Sequence, residues 1–553
     1  MKNTYYALAK QVYDSVSLKL KYVLAALIVP VIVAAACNTA SAQIGWVPVG
    51  DPYFSGGGAA YTAMAIDRMG TPYVVYQDSS LGKRITVKKF DGTNWVAVGP
   101  PGFSAGEADF CSIAIDTVGK VYVAYIDDAN GYTASVNMFN GTTWVTSSWG
   151  GTVSDGAAQY TSIGIDTFNE PIVAYQDVLN GYTAGVKEYN PLTGWQPLGG
   201  TAFSTGGAAY TTISINRGGI PYVAFQDWAY GYGATVMRNV FGSWEYVGHP
   251  AFSGGWSTWT SVGIDGSGAP CVAYQDAGDS NKLTVMRYSA TDTAWETLGV
   301  RGFSRGVAQY PTVAFDHMGV AYVAFNDWNA GNHTTVMKYS GGSWVTLGVQ
   351  GFSDGAANYT SMATDREGTA YVAYSDAADT NKVIVAKYAT IPSDTGRSQI
   401  CWYNTDTLTN VVPRGIWSSG NTFVARVGST TGIVTGINLG TATISYTILG
   451  TPTTMEVTVN NCAAEVGAVS NFAAPSLSVF PNPSQGSFTL NIASPEKENA
   501  VIVITNMLGE KVKEFTAITN TNTEIQLNTP PGIYFISATA GKWQQNARVE
   551  VWK

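Results

Sequence analysis

The chain has 553 residues, enough for several domains, and its 45% hydrophobic and 12% aromatic content suits packed cores rather than a disordered polypeptide. Only 12% of residues are charged and the net charge is -9, so the clustered lysines and arginines of a nucleic-acid surface are neither expected nor found.

The first element in chain order is a secretory signal peptide. Lys2, Lys10, Lys19 and Lys21 precede the apolar run "VLAALIVPVIVAAA" (23 to 36), and "ASA" at 40 to 42 supplies small residues for cleavage, which predicts a signal over residues 1–42. The apolar run is too short to span a bilayer, and no later stretch is apolar enough to form a transmembrane segment. Cys37 also admits a lipoprotein signal, although Ala34 stands where a leucine-like residue is usual.

From residue 43 to 391 one pattern recurs about every 50 residues. Its most regular element reads "YVVYQD" (73 to 78), "YVAYID" (122 to 127), "IVAYQD" (172 to 177), "YVAFQD" (222 to 227), "CVAYQD" (271 to 276), "YVAFND" (322 to 327) and "YVAYSD" (371 to 376). Each copy divides into four short runs rich in β-branched and aromatic residues, separated by Gly or Asp turns, which predicts four antiparallel strands. Sheets of this kind bury both faces when they stack around an axis, so the prediction is all-β: a seven-bladed β-propeller over 43–391. The seventh copy ends at "ATIPSDTG" without a tryptophan strand, whereas Trp95, Trp144, Trp195, Trp244, Trp295 and Trp344 supply one to each of the others. "GWVPVG" at 45 to 50 is the missing strand, predicted to close the last blade with Trp46 and to remove an open sheet edge. The tandem pattern resembles propeller-like repeats of secreted bacterial proteins, a likeness that implies no particular activity.

Two further segments follow, both predicted as small β-sandwiches. "GIWSSGNTFVARVGSTTGIVTGINLGTATISYTI" (415 to 448), closing with "TMEVTV", reads as short alternating strands with Gly turns. It resembles a group 2 bacterial Ig-like domain, placed at 396–460, a family that commonly acts as a spacer in surface proteins. The last segment, 475–553, carries Pro481, Asn482, Pro483, Gly486 and Phe488, then Leu508 and Gly509, then Gly532, Ile533 and Tyr534. These landmarks are similar to those of the C-terminal sorting domain of the type IX secretion system of Bacteroidetes-type bacteria. The resemblance implies export to the cell surface or beyond, with the secretion machinery as partner. Export also permits a bridge between Cys401 and Cys462, whereas Cys111 and Cys271 read as isolated core residues.

Groups for catalysis are scarce. His249, His317 and His333 are the three histidines and show no metal-ligand spacing, and no Gly-rich loop ends in Lys-Ser or Lys-Thr. The Asp that ends each second strand (Asp78, Asp127, Asp177, Asp227, Asp276, Asp327, Asp376) has two readings: a ring of acceptors for sugar hydroxyls or Ca2+, or a cap on its own loop. The aromatic near the start of each first strand (Tyr61, Phe110, Tyr160, Tyr210, Trp259, Tyr310, Tyr359) reads as packing between blades, because Phe and Trp substitute for Tyr there. Asp67, Asp116, Asp265, Asp316 and Asp365 open hairpin turns on the opposite face, with Asp166 and Asn216 in looser versions. Variation between copies marks the candidate ligand site: Trp228, Tyr230, Tyr232, Trp256 and Trp328, with Asp227 and Asp327, on the face carrying the loops after the second strands. The expected function is non-catalytic binding or adhesion, with glycan or a surface protein as ligand and Ca2+ as an optional cofactor. A secreted polysaccharide-degrading enzyme and a structural envelope component are the alternatives.

Overall fold

The second strand of every repeat is apolar on both sides, so it must be covered on both sides, and all seven residues are buried in each of Pro72–Asp78, Val121–Asp127, Pro171–Asp177, Pro221–Asp227, Pro270–Asp276, Ala321–Asp327 and Ala370–Asp376. The computed structural model, which describes residues 43–145, 152–462, 475–541 and 543–552, satisfies this demand with seven antiparallel blades packed around one axis. The predicted signal segment and Cys37 lie outside the described residues.

Blade 5 shows the plan: Ser257–Ile264 innermost, then Pro270–Asp276, Lys282–Ser289 and outermost Ala294–Thr297. Blade 3 departs from it at one end, because its first strand, Thr152–Ile165, is long enough to pair also with Thr133–Phe139 of blade 2. Blade 7 is assembled from both ends of the array. Gln43–Pro48 pairs antiparallel with Lys382–Ile391, with Trp46 opposite Tyr388, as the missing tryptophan strand requires.

Two sets of contacts repeat around the ring. On the outside, each crossover Phe stacks on its blade's tryptophan, for example Phe252 on Trp295 at 3.9 Å, Phe303 on Trp344 at 4.8 Å and Phe352 on Trp46 at 4.7 Å. In every blade but the third, whose Trp195 Nε1 has no partner among the described residues, the indole Nε1 then donates to the preceding blade: Trp95 to Val49 at 2.6 Å, Trp295 to Val247 at 2.7 Å and Trp46 to Leu347 at 2.8 Å. Higher up, the Ser of every crossover accepts a backbone N–H from the third strand of the preceding blade, from Ile85 to Ser104 at 3.1 Å through to Val383 to Ser55 at 3.1 Å across the seam. Gly348 shows why a glycine ends the outer strand: its φ is +79°, and a Cβ there would stand 3.0 Å from Trp46 Cδ1.

Residues 399 to 460 form a sandwich of two sheets, one ordered Gln399–Cys401, Thr451–Asn460, Gly440–Ile448, Ile416–Ser419, the other Thr405–Thr407, Ile433–Gly436, Ala425–Val427. Trp417, Ile444, Tyr446 and Val457 fill its core. The sandwich packs against the propeller. Ile448 and Leu449 share a hydrophobic cluster with Trp46, Phe352 and Ile391, and the Arg414 guanidinium lies 5.8 Å from the Tyr53 ring centre. Cys401 and Cys462 are disulfide-bonded, and Cys111 and Cys271 are free and buried.

The C-terminal unit, Cys462–Lys553, has its own core of Phe488, Leu490, Ile502, Ile504, Tyr534, Ile536 and Val549 between a three-stranded and a four-stranded sheet. Among the described residues no helix is long and apolar enough to cross a membrane.

Candidate functional site

The loops after the second strands owe their shape to the terminal Asp. In six blades this Asp caps a one-turn 3-10 helix: Asp227 Oδ1 accepts from the N–H of Ala229 at 3.1 Å, and Asp327 Oδ1 from Asn329 at 3.1 Å. Asp177 accepts instead from the Asn180 N–H at 3.2 Å. Asp227 and Asp327 were expected to meet ligand, but both are 0% exposed, and a carboxylate without exposed surface offers a ligand nothing to touch. They set the loops on which the aromatics stand. Among the described residues no group of three or more His, Cys, Asp or Glu side chains could hold a metal ion.

The partner of the second carboxylate oxygen varies between blades: Asn130 and Asn180 of the same loop donate to Asp127 and Asp177 at 2.9 and 2.7 Å, whereas in blades 5 and 6 a side chain of the following crossover takes part. Arg301 clamps Asp276 through Nε at 2.6 Å and a second nitrogen at 2.8 Å, and Gln350 Nε2 donates to Asp327 at 2.7 Å. Proline occupies the same place as Pro101 after blade 1, Pro250 after blade 4 and Pro52 after blade 7; Asp78 Oδ2 still accepts from Thr86 at 3.4 Å, whereas Oδ2 of Asp227 and of Asp376 is buried without a hydrogen bond. Burial pushes the carboxyl of Asp227 up, and that of Asp376 up to about 6, with the Asp354 charge adding to the burial.

The predicted loop aromatics are partly exposed, from 37% at Tyr232 to 60% at Trp328. Most of them form one stripe across blades 3 to 5: Tyr182 stacks on Trp228 at 5.6 Å, Trp228 lies 6.2 Å from Tyr232, and Tyr232 lies 4.7 Å from Trp256. Tyr132, Tyr182 and Tyr232 all have φ near +60°, which lifts each ring off its loop. Tyr230 turns aside to contact Tyr246 at 6.2 Å. Trp328 stands in blade 6, outside this stripe.

Sequence reasoning underrated the first-strand aromatics. All seven, Tyr61, Phe110, Tyr160, Tyr210, Trp259, Tyr310 and Tyr359, have φ between 48° and 55° and sit at a register shift where the strand bulges. The bulge turns each ring toward the axis, where the seven form a closed circle with neighbouring ring centres 4.3 to 5.1 Å apart. Successive rings are rotated by 44° to 58°, close to one-seventh of a turn. They line a cavity of about 430 Å³ with Thr62, Cys111, Thr161, Thr211, Thr260, Pro311, Thr312 and Thr360. The rings therefore pack on one another, as expected, and also bound a space. The recurrence of an aromatic at that position was the only sequence signal; a non-glycine φ above zero has none.

At the other end of the axis a cavity of about 340 Å³ is bounded by the hairpin turns, including Asp67, Asn216, Asp265, Asp316 and Asp365. These side chains cap their own turns; Asp67 Oδ1, for example, accepts from the N–H of Met69 and of Thr71, each at 2.9 Å. The turns expected to be looser make the same bonds: Asp166 accepts from Phe168 and Glu170 at 2.8 Å, and Asn216 from Gly218 and Ile220 at 2.9 Å.

Comparison with known proteins adds an address. No curated protein sequence matches the chain. Among solved structures the chain is similar to the lectin BP39L from Burkholderia pseudomallei (13% identity, TM-score 0.45, covering 60% of this chain and 96% of that one). It is also similar to an ulvan lyase of polysaccharide lyase family PL25 (12%, 0.42, 62% and 95%) and to an Aleuria aurantia lectin (19%, 0.36, 54% and 96%). Residues 478–551 match the model of the secretion system C-terminal sorting domain, so the protein carries a type IX secretion sorting domain and is exported to the cell surface or the extracellular space.

Proposed function

We propose that this is a non-catalytic binding protein that recognises glycan through the loop face of its propeller. The observation that carries the reading is the stripe Tyr182–Trp228–Tyr232–Trp256, partly exposed and held on loops whose shape is fixed by buried Asp caps. Flat aromatic faces match the apolar faces of sugar rings, and the hydroxyls of the tyrosines offer hydrogen bonds at their edges. The sandwich at 396–460 acts, on this reading, as a group 2 Ig-like domain that braces the propeller rather than a flexible spacer. The secretion machinery is the partner of residues 475–553, recognising them during export.

The test is a glycan array probed with the secreted protein, followed by titration of Trp228→Ala and Trp256→Ala against the best ligand and an assay of that ligand for cleavage. Each substitution is expected to weaken binding by about 1–3 kcal/mol. Undiminished affinity in both variants, or turnover of the glycan, would reject the reading.

A further inference from the structure

We propose that the axial cavity is a second ligand site, distinct from the aromatic stripe, and that it takes one neutral sugar residue. Its volume of about 430 Å³ falls at the lower end of the range of roughly 300–1,000 Å³ usual for small-molecule sites. No charged side chain lines it. Burial raises the phenols of Tyr61, Tyr160, Tyr210, Tyr310 and Tyr359 above their ordinary value, so each stays a neutral hydroxyl. The carboxylate of Asp109, next to Phe110 in sequence, is engaged by Gln77 Nε2 at 2.9 Å. A wall of ring carbons and hydroxyls without charge suits a molecule that has both an apolar face and hydroxyls and is itself uncharged.

The hydroxyls show where such a molecule is held. Elsewhere in the girdle they bind one blade to the next: Thr211 donates to the Tyr160 carbonyl at 2.6 Å, Thr260 to Tyr210 and Thr360 to Tyr310 at 2.5 Å, and Thr161 to Phe110. At the following position, Ser112, Ser162, Thr212, Ser261 and Ser361 accept backbone N–H groups of the neighbouring blade at 3.0 to 3.2 Å. Two hydroxyls break this pattern. Thr62 Oγ1, on a residue 5% exposed, and Thr312 Oγ1 are buried, line the cavity and have no partner. Both lie on the seams of blade 7, Thr62 on one side and Thr312 on the other, so the unmet hydrogen bonds form one arc with Tyr310, Tyr359 and Tyr61. A buried polar group without a partner is costly; neither oxygen has exposed surface as it stands, so a ligand hydroxyl supplies the missing bond only as the threonine turns about χ1 to bring its hydroxyl to the cavity wall.

The experiment is saturation-transfer NMR on the secreted protein with neutral methyl glycosides (a hexose, a deoxyhexose and an N-acetylhexosamine) and methyl glucuronoside. At least one neutral glycoside is expected to bind, and the uronoside to bind more weakly. Phe110→Trp fills the cavity with a ring the fold already accepts at Trp259, and is expected to lower the affinity at least about tenfold at an unchanged Tm. Thr62→Val combined with Thr312→Val keeps the shape and removes the hydroxyls, and is expected to cost about tenfold. Failure of every neutral glycoside to bind, preference for the uronoside, or binding that survives Phe110→Trp overturns the axial site. Array binding in Trp228→Ala and Trp256→Ala is read separately, so its outcome bears on the stripe alone.

Discussion

Blade 5 and blade 7 contain the same parts and are joined differently. Each has its Phe stacked on Trp, its indole donating to the preceding blade, its crossover Ser pinned and its axial aromatic in place. In blade 5 these come from one continuous stretch, whereas Trp46 reaches Leu347 across 301 residues of sequence. The closing blade thus replaces a covalent turn with packing and hydrogen bonds, and the whole ring depends on that replacement. The two blades also differ in one buried charge. Asp276 is clamped by Arg301, but Asp376 has Pro52 where the clamp would be and keeps an unpaired oxygen. Identical folds therefore do not imply identical electrostatics.

The largest expected effect would break the comparison outright. Trp46→Ala should cost about 3–5 kcal/mol, and deletion of residues 43–50 more, because an opened ring exposes the edge of Lys382–Ile391 as well as the tryptophan pocket. Trp344→Ala removes the equivalent stacking and indole bond inside the array, so denaturant unfolding of the two variants measures what the closing blade adds, its packing beside Ile448 and Leu449 included. A Trp46→Ala protein as stable as wild type would mean that Gln43–Pro48 does not hold the ring shut.

Next in size is the charge. Arg301→Ala leaves the Asp276 carboxylate buried with Thr284 and its own loop as partners, and should cost about 1–2 kcal/mol at neutral pH, the partial exposure of Arg301 tempering the loss. Asp376 should behave in the opposite sense. Its carboxyl titrates near 6 in the folded protein against 3.8 ordinarily, so the native state holds the proton more tightly. Stability from this group is present in full below about pH 4 and lost as pH rises through about 6. Asp376→Asn should raise neutral-pH stability by about 1–3 kcal/mol and flatten the stability profile between pH 4 and 6, as read by Tm against pH. A profile unchanged by the substitution would show that the carboxyl finds a partner in solution.

The smallest effect sharpens the contrast between structural and exposed tryptophans. Trp256→Ala and Trp328→Ala should each shift stability by less than about 0.5 kcal/mol, far below Trp46→Ala. Of the two, only Trp256→Ala should weaken glycan binding markedly, since Trp328 lies outside the stripe. Equal losses of affinity would extend the site to blade 6.

The repeats made the blades legible, since runs such as "YVAYQD" are apolar on both faces and must be covered on both. The six internal tryptophan strands made the closure legible too, because the seventh repeat lacks one and Trp46 supplies it just ahead of the first. The candidate site was legible in part. Trp228, Tyr232 and Trp256 could be singled out because they differ between copies, but their joining with Tyr182 into one surface depends on the angle between adjacent blades, which no single repeat encodes.

The sequence alone determined the class of the fold, the number of blades, the closing strand and the export domain, because each is written in local periodicity or in a contiguous motif. Only the tertiary structure decided which groups face a ligand. Asp227 and Asp327 look like acceptors in the sequence and are sealed inside their loops; Tyr61 and its six counterparts look like filler and, through a strained backbone bulge, surround a cavity. Burial and side-chain direction are properties of what packs alongside, and in a closed ring what packs alongside comes from a repeat about 50 residues away, or, at the seam, from the opposite end of the array.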